Sequence, residues 1–262
     1  MKKYYVATMG ENFEQVLSGE YSGGEKPGIE LDFFCTAENM EGQRREKYLR
    51  EVEGITKRYK IEGSSVILHA PFNELHPGAI DPEALRLAEK RLNQAYLLCQ
   101  ELGIKKMVAH SGYVPFIYFK SWHIERSIVF WRKFMEDKPG DFILSIENVL
   151  EDEPFMMAEL MEGMDIKNVG VCLDTGHANC MSRENIKKWI EVLSPYINHF
   201  HLHNNYGDRD THGSFEEGSM NMKEVVSLAA KNCGRQTTYT VEAADPVKSF
   251  RWMEDEGFFD IF

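Results

Sequence analysis

Closely spaced cysteine pairs are missing from this chain. Its five cysteines, Cys35, Cys99, Cys172, Cys180 and Cys233, are odd in number, scattered, and never form a C-x-x-C. That argues against a disulfide framework and against a structural zinc knuckle. Basic charge is also scarce. Thirty lysines and arginines against 42 aspartates and glutamates give a net charge of −12, which opposes non-specific binding to a long polyanion and ranks nucleic acid low among partners. No apolar run approaches the length of a bilayer span, so no membrane partner is expected. The Met1-Lys-Lys start leads into a segment too short for a signal core and without a cleavage pattern, and the expectation is a cytoplasmic protein. With no low-complexity tract and no linker, residues 1–262 read as one domain.

What is present is a repeating strand and helix grammar. The chain has 262 residues, 43% hydrophobic and 27% charged, and about 250 residues is the usual size of an eight-fold β/α barrel. Strand-like runs fall at residues 3–9, 28–34, 65–69, 105–110, 141–147, 169–174, 197–203 and 236–242. A Gly-rich loop at residues 22–27 separates the first two. Helical patterns occupy residues 41–60, 82–102, 125–135, 155–161, 185–193, 222–230 and 246–256. The clearest is 82–102, with Asp81 placed as N-cap and Gly103 as stop. Strands separated by helices imply parallel pairing through crossovers, so the sequence predicts an α/β fold, a single closed (β/α)8 TIM barrel.

Six of these strands end in a ligand-type residue: His69, His110, Glu147, Asp174, His201 and Glu242. In a parallel barrel all carboxyl ends lie on one face, so residues far apart in sequence converge there. Asp174 opens the turn of VGVCLDTGH, with His177 beyond it; a helix cap is the bland alternative for Asp174 or Thr175. Glu147 and Glu242 each close an apolar strand, where an unpaired charge costs several kcal/mol unless a cation or donor meets it. The mixed oxygen and nitrogen set suits zinc or manganese, with cobalt or magnesium also able to serve. Asp210 and His212 follow in a polar loop and enlarge the set. Alternation puts His199, His201 and His203 on one face of their strand, and the residues alone leave open which of them binds. His76 and His123 read as surface loop residues, and Cys180 as a buried inert thiol in preference to a ligand. The aromatic loop after His110, with Tyr113, Phe116, Tyr118, Phe119 and Trp122, is suited to walling a sugar-sized pocket or, equally, to a homo-oligomer contact. Asn148 offers a bond to a substrate hydroxyl or a cap for the next turn.

Together IENV, VCLDTGHAN, HFHLHNN and Asp210-Thr-His212 resemble the xylose-isomerase-like TIM-barrel superfamily, from about the third strand onward. That superfamily joins sugar and sugar-phosphate isomerases and epimerases with endonuclease IV-type abasic-site endonucleases. The epimerase likeness implies one divalent metal on Glu147, Asp174, His201 and Glu242. The two glutamates would shuttle a proton through a metal-bound enediolate, and His177 would hold substrate oxygens. It puts His199 deeper in the barrel and His203 in the loop. The chain departs from that branch at Gly207, where an arginine is expected and Arg209 is the nearest substitute, and in having the Asp-x-His. The endonuclease likeness implies up to three zinc ions on His69, His110, Glu147, Asp174, His177, His201, Asp210, His212 and Glu242, all present in type. Against it stand mostly acidic or neutral loops after the ligand strands and the reading DTGHAN, where the endonucleases carry a cysteine before the histidine. The expectation is therefore an isomerase or epimerase of a small polyhydroxylated substrate, catalysed by Glu147, Glu242 and His177. His177, Asn148, Tyr113, Trp122 and Arg209 are the expected substrate contacts. A multinuclear zinc phosphodiesterase is the rival, and a catalytically silent metal- or carbohydrate-binding barrel is the third class.

Overall fold

Eight short strands alternate with helices in a computed structural model that describes residues 2–19 and 26–260. The strands are β1 Tyr4–Ala7, β2 Gly28–Leu31, β3 Val66–His69, β4 Lys106–His110, β5 Ile143–Glu147, β6 Val169–Asp174, β7 Ile197–Leu202 and β8 Thr238–Val241. Every neighbouring pair is parallel, and β8 pairs back onto β1, so the sheet closes in chain order. The expected (β/α)8 barrel is what forms. The Gly-rich connection expected at residues 22–27 lies, up to residue 25, outside the described residues.

The helices are α1 Phe13–Ser18, α2 Gly42–Tyr59, α3 Pro82–Leu102, α4 Lys120–Met135, α5 Phe155–Met164, α6 Thr175–Met181, α7 Ile186–Leu193, α8 Met222–Asn232 and α9 Pro246–Asp255. Local chemistry sets several ends. The Asp81 carboxylate accepts from the Glu83 amide at the start of α3, and Gly103 closes it at φ 68°, a left-handed conformation glycine adopts without penalty. The short α1 had no periodic signal in the sequence, being too brief to display one. Helix α4 starts five residues earlier than the pattern at 125–135 indicated. His123 is consequently a fully buried helical residue, not a surface loop residue: its ring packs edge-on against Tyr113 and its Nε2 faces the Ser127 hydroxyl at 3.3 Å. His76 does sit in a loop, half-buried, with Nδ1 donating to the Gly112 carbonyl at 3.0 Å.

The large core lies between the outer face of the barrel and the helices, where Leu68, Leu144, Leu173 and Phe200 meet Leu92, Trp131, Leu160, Trp189 and Phe250. Each such side chain contributes about 1.5–3 kcal/mol on burial. Inside the barrel the filling changes character. Tyr5, Ile67, Val108 and Cys172 form a small apolar plug. Beside it the Lys106 ammonium donates to the Asn198 carbonyl and the Thr238 hydroxyl, both at 2.8 Å. Burial pushes that ammonium down to about 7. Among the described residues no helix is long and apolar enough to cross a membrane.

Strand β2 begins at a glycine because nothing larger fits: a Cβ on Gly28 would lie 2.4 Å from the Ser65 carbonyl oxygen and 2.5 Å from the Tyr5 ring. Gly28→Ala is expected to cost about 1–3 kcal/mol as an overpacking change, read from the urea midpoint of the full chain, whereas Gly54→Ala, which meets open space, should cost no stability.

Candidate metal centre

At the carboxyl end of the barrel, the register sets His110 opposite Glu147 and Asp174 opposite His201. Glu147 is 1% exposed and stands at the middle. Its Oε2 lies 3.2 Å from His69 Nε2 and 3.5 Å from His110 Nε2. Its Oε1 lies 3.2 Å from His177 Nδ1 and 3.5 Å from His201 Nδ1. Glu242, just beyond β8, brings its Oε2 to 2.8 Å from His201 Nδ1, and Asp174 Oδ2 stands 3.7 Å from the same nitrogen. A third grouping sits higher, where Asp210 Oδ2 meets His177 Nε2 at 3.2 Å and His212 Nε2 at 2.9 Å. All nine sequence-expected ligands are thus gathered into three overlapping sets.

The ring orientations say which nitrogens face inward. A carbonyl oxygen can only accept, so His69 Nδ1–H donates to Ala70, His177 Nδ1–H to Asn148 and His212 Nδ1–H to Glu242, at 3.0, 3.0 and 2.8 Å. Each ring is therefore pinned with its Nε2 turned inward onto a carboxylate, Glu147 for His69 and Asp210 for His177 and His212, the arrangement by which an outer hydrogen bond orients a metal-binding imidazole. His201 is pinned the opposite way, Nε2–H to the buried carboxylate of Glu30 at 2.9 Å, which leaves Nδ1 bare. That Nδ1 and Glu242 Oε2, though 2.8 Å apart, make no hydrogen bond with each other, and both are buried without a partner. Burial opposes charge on His201, but Cys172, Glu242, Glu30 and Glu147 outweigh it and hold the ring protonated well above the ordinary imidazole range; a metal ion beside Nδ1 would replace that proton. The donor set fits a divalent metal ion.

Electrostatics differ from ring to ring. Burial opposes charge on His69, but its hydrogen bond to Glu147 and the surrounding carboxylates prevail and push it up to about 9. His212 is likewise pushed up to about 9, its burial overcome by Asp210 and Glu242. His110 faces the same Glu147 yet is held down to about 3, because burial dominates and the Glu147 charge offsets it only partly. Glu147 is held well below the usual carboxylate range: burial opposes this, but the imidazoles of His201, His110 and His177 outweigh it.

These residues open into a cleft of about 350 Å³ that Met9, Asp32, Cys35, Phe72 and Val149 also line. The Phe72 ring stacks on His110 with centroids 4.3 Å apart. Asp32 was not anticipated. Its Oδ2 accepts from the Met9 amide at 3.2 Å, and burial, reinforced by Glu242, pushes its carboxyl up to about 7. The signal for it was the Glu30, Asp32 alternation inside an otherwise apolar strand, which directs both carboxylates into the barrel. Asn148 does not line the cleft and braces the start of α6, whose N-cap is Asp174. Its carboxamide exchanges two hydrogen bonds with the Asp174 backbone, at 3.0 and 2.9 Å, tying β5 to β6. The expected aromatic wall also lies elsewhere. Tyr113 is buried against Ile124 and Met156, Trp122 is half-exposed on α4 with its ring edge-on to Phe119, and neither lines the cleft. Arg209 is exposed beside Asp208 and does not reach the cleft. His199 does lie deeper, between Thr238 and Glu30. His203 does lie in the loop just past β7, where it is fully buried with Nε2 3.0 Å from Asp174 Oδ1. Cys180 is half-buried, its thiol 3.8 Å from the His177 carbonyl.

The model of the xylose isomerase-like TIM barrel family matches residues 27–255. An uncharacterized protein of Methanocaldococcus jannaschii is 28% identical over 233 residues, covering 83% of this chain and 76% of that protein. A probable endonuclease 4 of Mycoplasma capricolum is 23% identical over 166 residues, 59% of this chain and 55% of that protein. The crystal structure of a D-tagatose 3-epimerase-like protein superposes with a TM-score of 0.75 over 99% of this chain and 97% of that one, at 23% identity; at that identity what is shared is the fold.

Because His69 and His212 hold protons to about pH 9 in the metal-free chain, a bound ion must displace them. Zinc uptake is expected to release protons, and apparent affinity to rise between pH 6.5 and 9, measured by indicator dye and chelator competition. The sign for stability is the reverse. Both pKa values are raised on folding, so the stability they contribute is fully present below about 6.5, the unfolded value, and is lost as pH rises through about 9. The metal-free thermal midpoint should fall over that interval. Zinc binding without proton release would contradict this account.

Proposed function

Since the chain belongs to the xylose isomerase-like TIM barrel family, we propose that it is a divalent-metal-dependent enzyme acting on a small polyhydroxylated substrate by proton transfer, as a sugar or sugar-phosphate isomerase or epimerase. One observation carries the reading: Glu147, Asp174, His201 and Glu242 turn inward around one point, with the bare Nδ1 of His201 and Oε2 of Glu242 left unpartnered. Zinc or manganese suits the mixed donors best. When bound, the ion would polarise a carbonyl and its neighbouring hydroxyl. The chain's own residues supply the rest. Glu147 and Glu242 reach the point from different strands, which allows one carboxylate to take the carbon-bound proton and the other to return it on the opposite face or the adjacent carbon. His177 and Asp32 line the cleft as partners for substrate hydroxyls, and Phe72 gives a sugar ring an apolar surface. A cleft of about 350 Å³ accommodates a sugar and not a duplex.

A second reading, hydrolysis of a small phosphoester, is favoured by ligand groupings that extend beyond Glu147 to Asp210 and His212. Charge separates the two. The four carboxylates Glu147, Asp174, Asp210 and Glu242 leave two negative charges after one divalent ion, suited to a neutral polyol, but two positive charges after three, suited to an anion. The rim restricts even that reading to small esters. Asp152 and Glu153 follow β5, and Asp208 and Glu216 follow β7. Lys120 is taken up by Asp152 and Glu153. Such a surface repels a phosphodiester backbone.

The test is metal content by elemental analysis together with deuterium entry from D2O into ketopentoses, ketohexoses and their phosphates, with a small chromogenic phosphodiester assayed in parallel. Exchange that survives Asp210→Ala and His212→Ala, each variant retaining at least one ion per chain, and that falls by about 10²-fold or more in Glu242→Gln, is expected. Two or three zinc ions, lowered by those substitutions, with phosphodiester cleavage and no exchange, would establish the second reading. Bound metal with neither activity would identify a silent barrel.

A further inference from the structure

His203 stands between two of the ligand sets. Its ring is 0% exposed, and its Nε2 faces both oxygens of Asp174, at 3.0 and 3.1 Å. A carboxylate only accepts, so Nε2 carries the ring proton and Nδ1 carries the lone pair. That Nδ1 is buried without a hydrogen-bond partner, and so is Asp210 Oδ1, 3.7 Å away. A bare imidazole nitrogen and a bare carboxylate oxygen at that distance do not stabilise one another, and leaving both desolvated and unmet is costly.

The seat is built for the ring. A Cβ at Gly176 would fall 1.9 Å from His203 Cε1, so only glycine admits the imidazole there. The Thr175 hydroxyl donates to the carbonyls of His201 and His203 at 3.1 Å and fixes the chain on either side. The His212 ring stacks on His203 with centroids 4.1 Å apart and planes within 12°. Ligand atoms of His203, His212 and Glu242 all lie within 4.8 Å of one another.

From this geometry we infer that His203 is a tenth ligand of the centre, its Nδ1 joining Asp210 and His212 at the upper position while Asp174 orients it from behind. A carboxylate–histidine–metal relay of this kind raises ligand basicity and fixes the tautomer. It would fill the coordination of the upper ion, which then serves to hold charge and position in preference to presenting an open site. The inference rests on the reading of the cleft as a metal centre.

Zinc is the probe. His203→Gln keeps an N–H near the Nε2 position for Asp174 but has no lone pair in place of Nδ1. Zinc per chain is measured after dialysis against a chromophoric chelator, for the unsubstituted chain and the variant. The metal-free thermal midpoints of both are recorded as the check on folding. Independently of any variant, long-range 1H–15N spectra of the full chain report whether zinc shifts His203 Nδ1. The expected result is loss of one zinc equivalent, or weakening of the last ion by more than about tenfold, in His203→Gln, with His203 Nδ1 shifted by zinc in the unsubstituted chain. Equal zinc retention by the variant, or an Nδ1 resonance that zinc leaves unmoved, would overturn the ligand role while leaving the metal centre standing. No zinc on the unsubstituted chain would overturn both.

Discussion

A carboxylate stripped of water in the middle of a barrel is the constraint on which the rest of the site depends. Glu147 is buried at the end of β5 and faces four imidazoles, two from each of its oxygens. Left alone, such a charge would be neutralised or the barrel destabilised. The imidazoles answer it only if they are oriented. His69 and His177 are turned by backbone carbonyls, and His201 by the Glu30 carboxylate. The centre is therefore held from outside by hydrogen bonds that do not themselves enter the cleft.

That outer support reaches through the barrel. Glu30 accepts from His201 with one oxygen and from His199 and Thr240 with the other. His199 in turn meets Thr238, which receives Lys106. A polar column thus runs along the barrel axis beside an apolar plug. Burial holds His199 down to about 3, so the column carries its negative charge at Glu30, below His201. Polar networks of this kind specify a geometry only when each member is satisfied. Here the satisfied members lie below, and the orphaned atoms, His201 Nδ1, His203 Nδ1, Asp210 Oδ1 and Glu242 Oε2, lie where the cleft opens.

Asp210 and His212 show how a loop becomes part of such a centre. Asn204 and Gly213 pair as a small antiparallel bridge, their amides and carbonyls exchanging hydrogen bonds at 2.9 and 2.7 Å. The bridge folds the intervening residues back over the β7 end. His212 adopts φ 47°, an uncommon conformation for a residue with a Cβ, and one that clusters at functional sites. Its amide-side neighbours cannot relax, because the His212 carbonyl receives the Ala244 amide at 2.7 Å. The loop is thereby stitched to both β7 and the segment after β8.

Strand endings were legible in the amino-acid order because a buried parallel strand is an apolar run, and a polar residue that terminates one stands out. Glu147, Asp174 and Glu242 were found that way, and the barrel followed from the regular return of such runs between helices. The cleft walls were not legible. Tyr113, Trp122 and Arg209 have the composition of a sugar-binding wall, yet the early start of α4 turns the aromatics onto its own neighbours, and Phe72, Met9 and Asp32 line the cleft instead. Nor could alternation say which of His199, His201 and His203 belongs to the centre, since all three share one face. Depth along the barrel axis separates them: His199 is absorbed by Thr238 and Glu30, while His201 and His203 each keep one nitrogen bare. Residue order carries the period of a strand and the chemistry of its last residue. It does not carry the rotation of a ring, which depends on a carbonyl or carboxylate brought alongside by a distant strand.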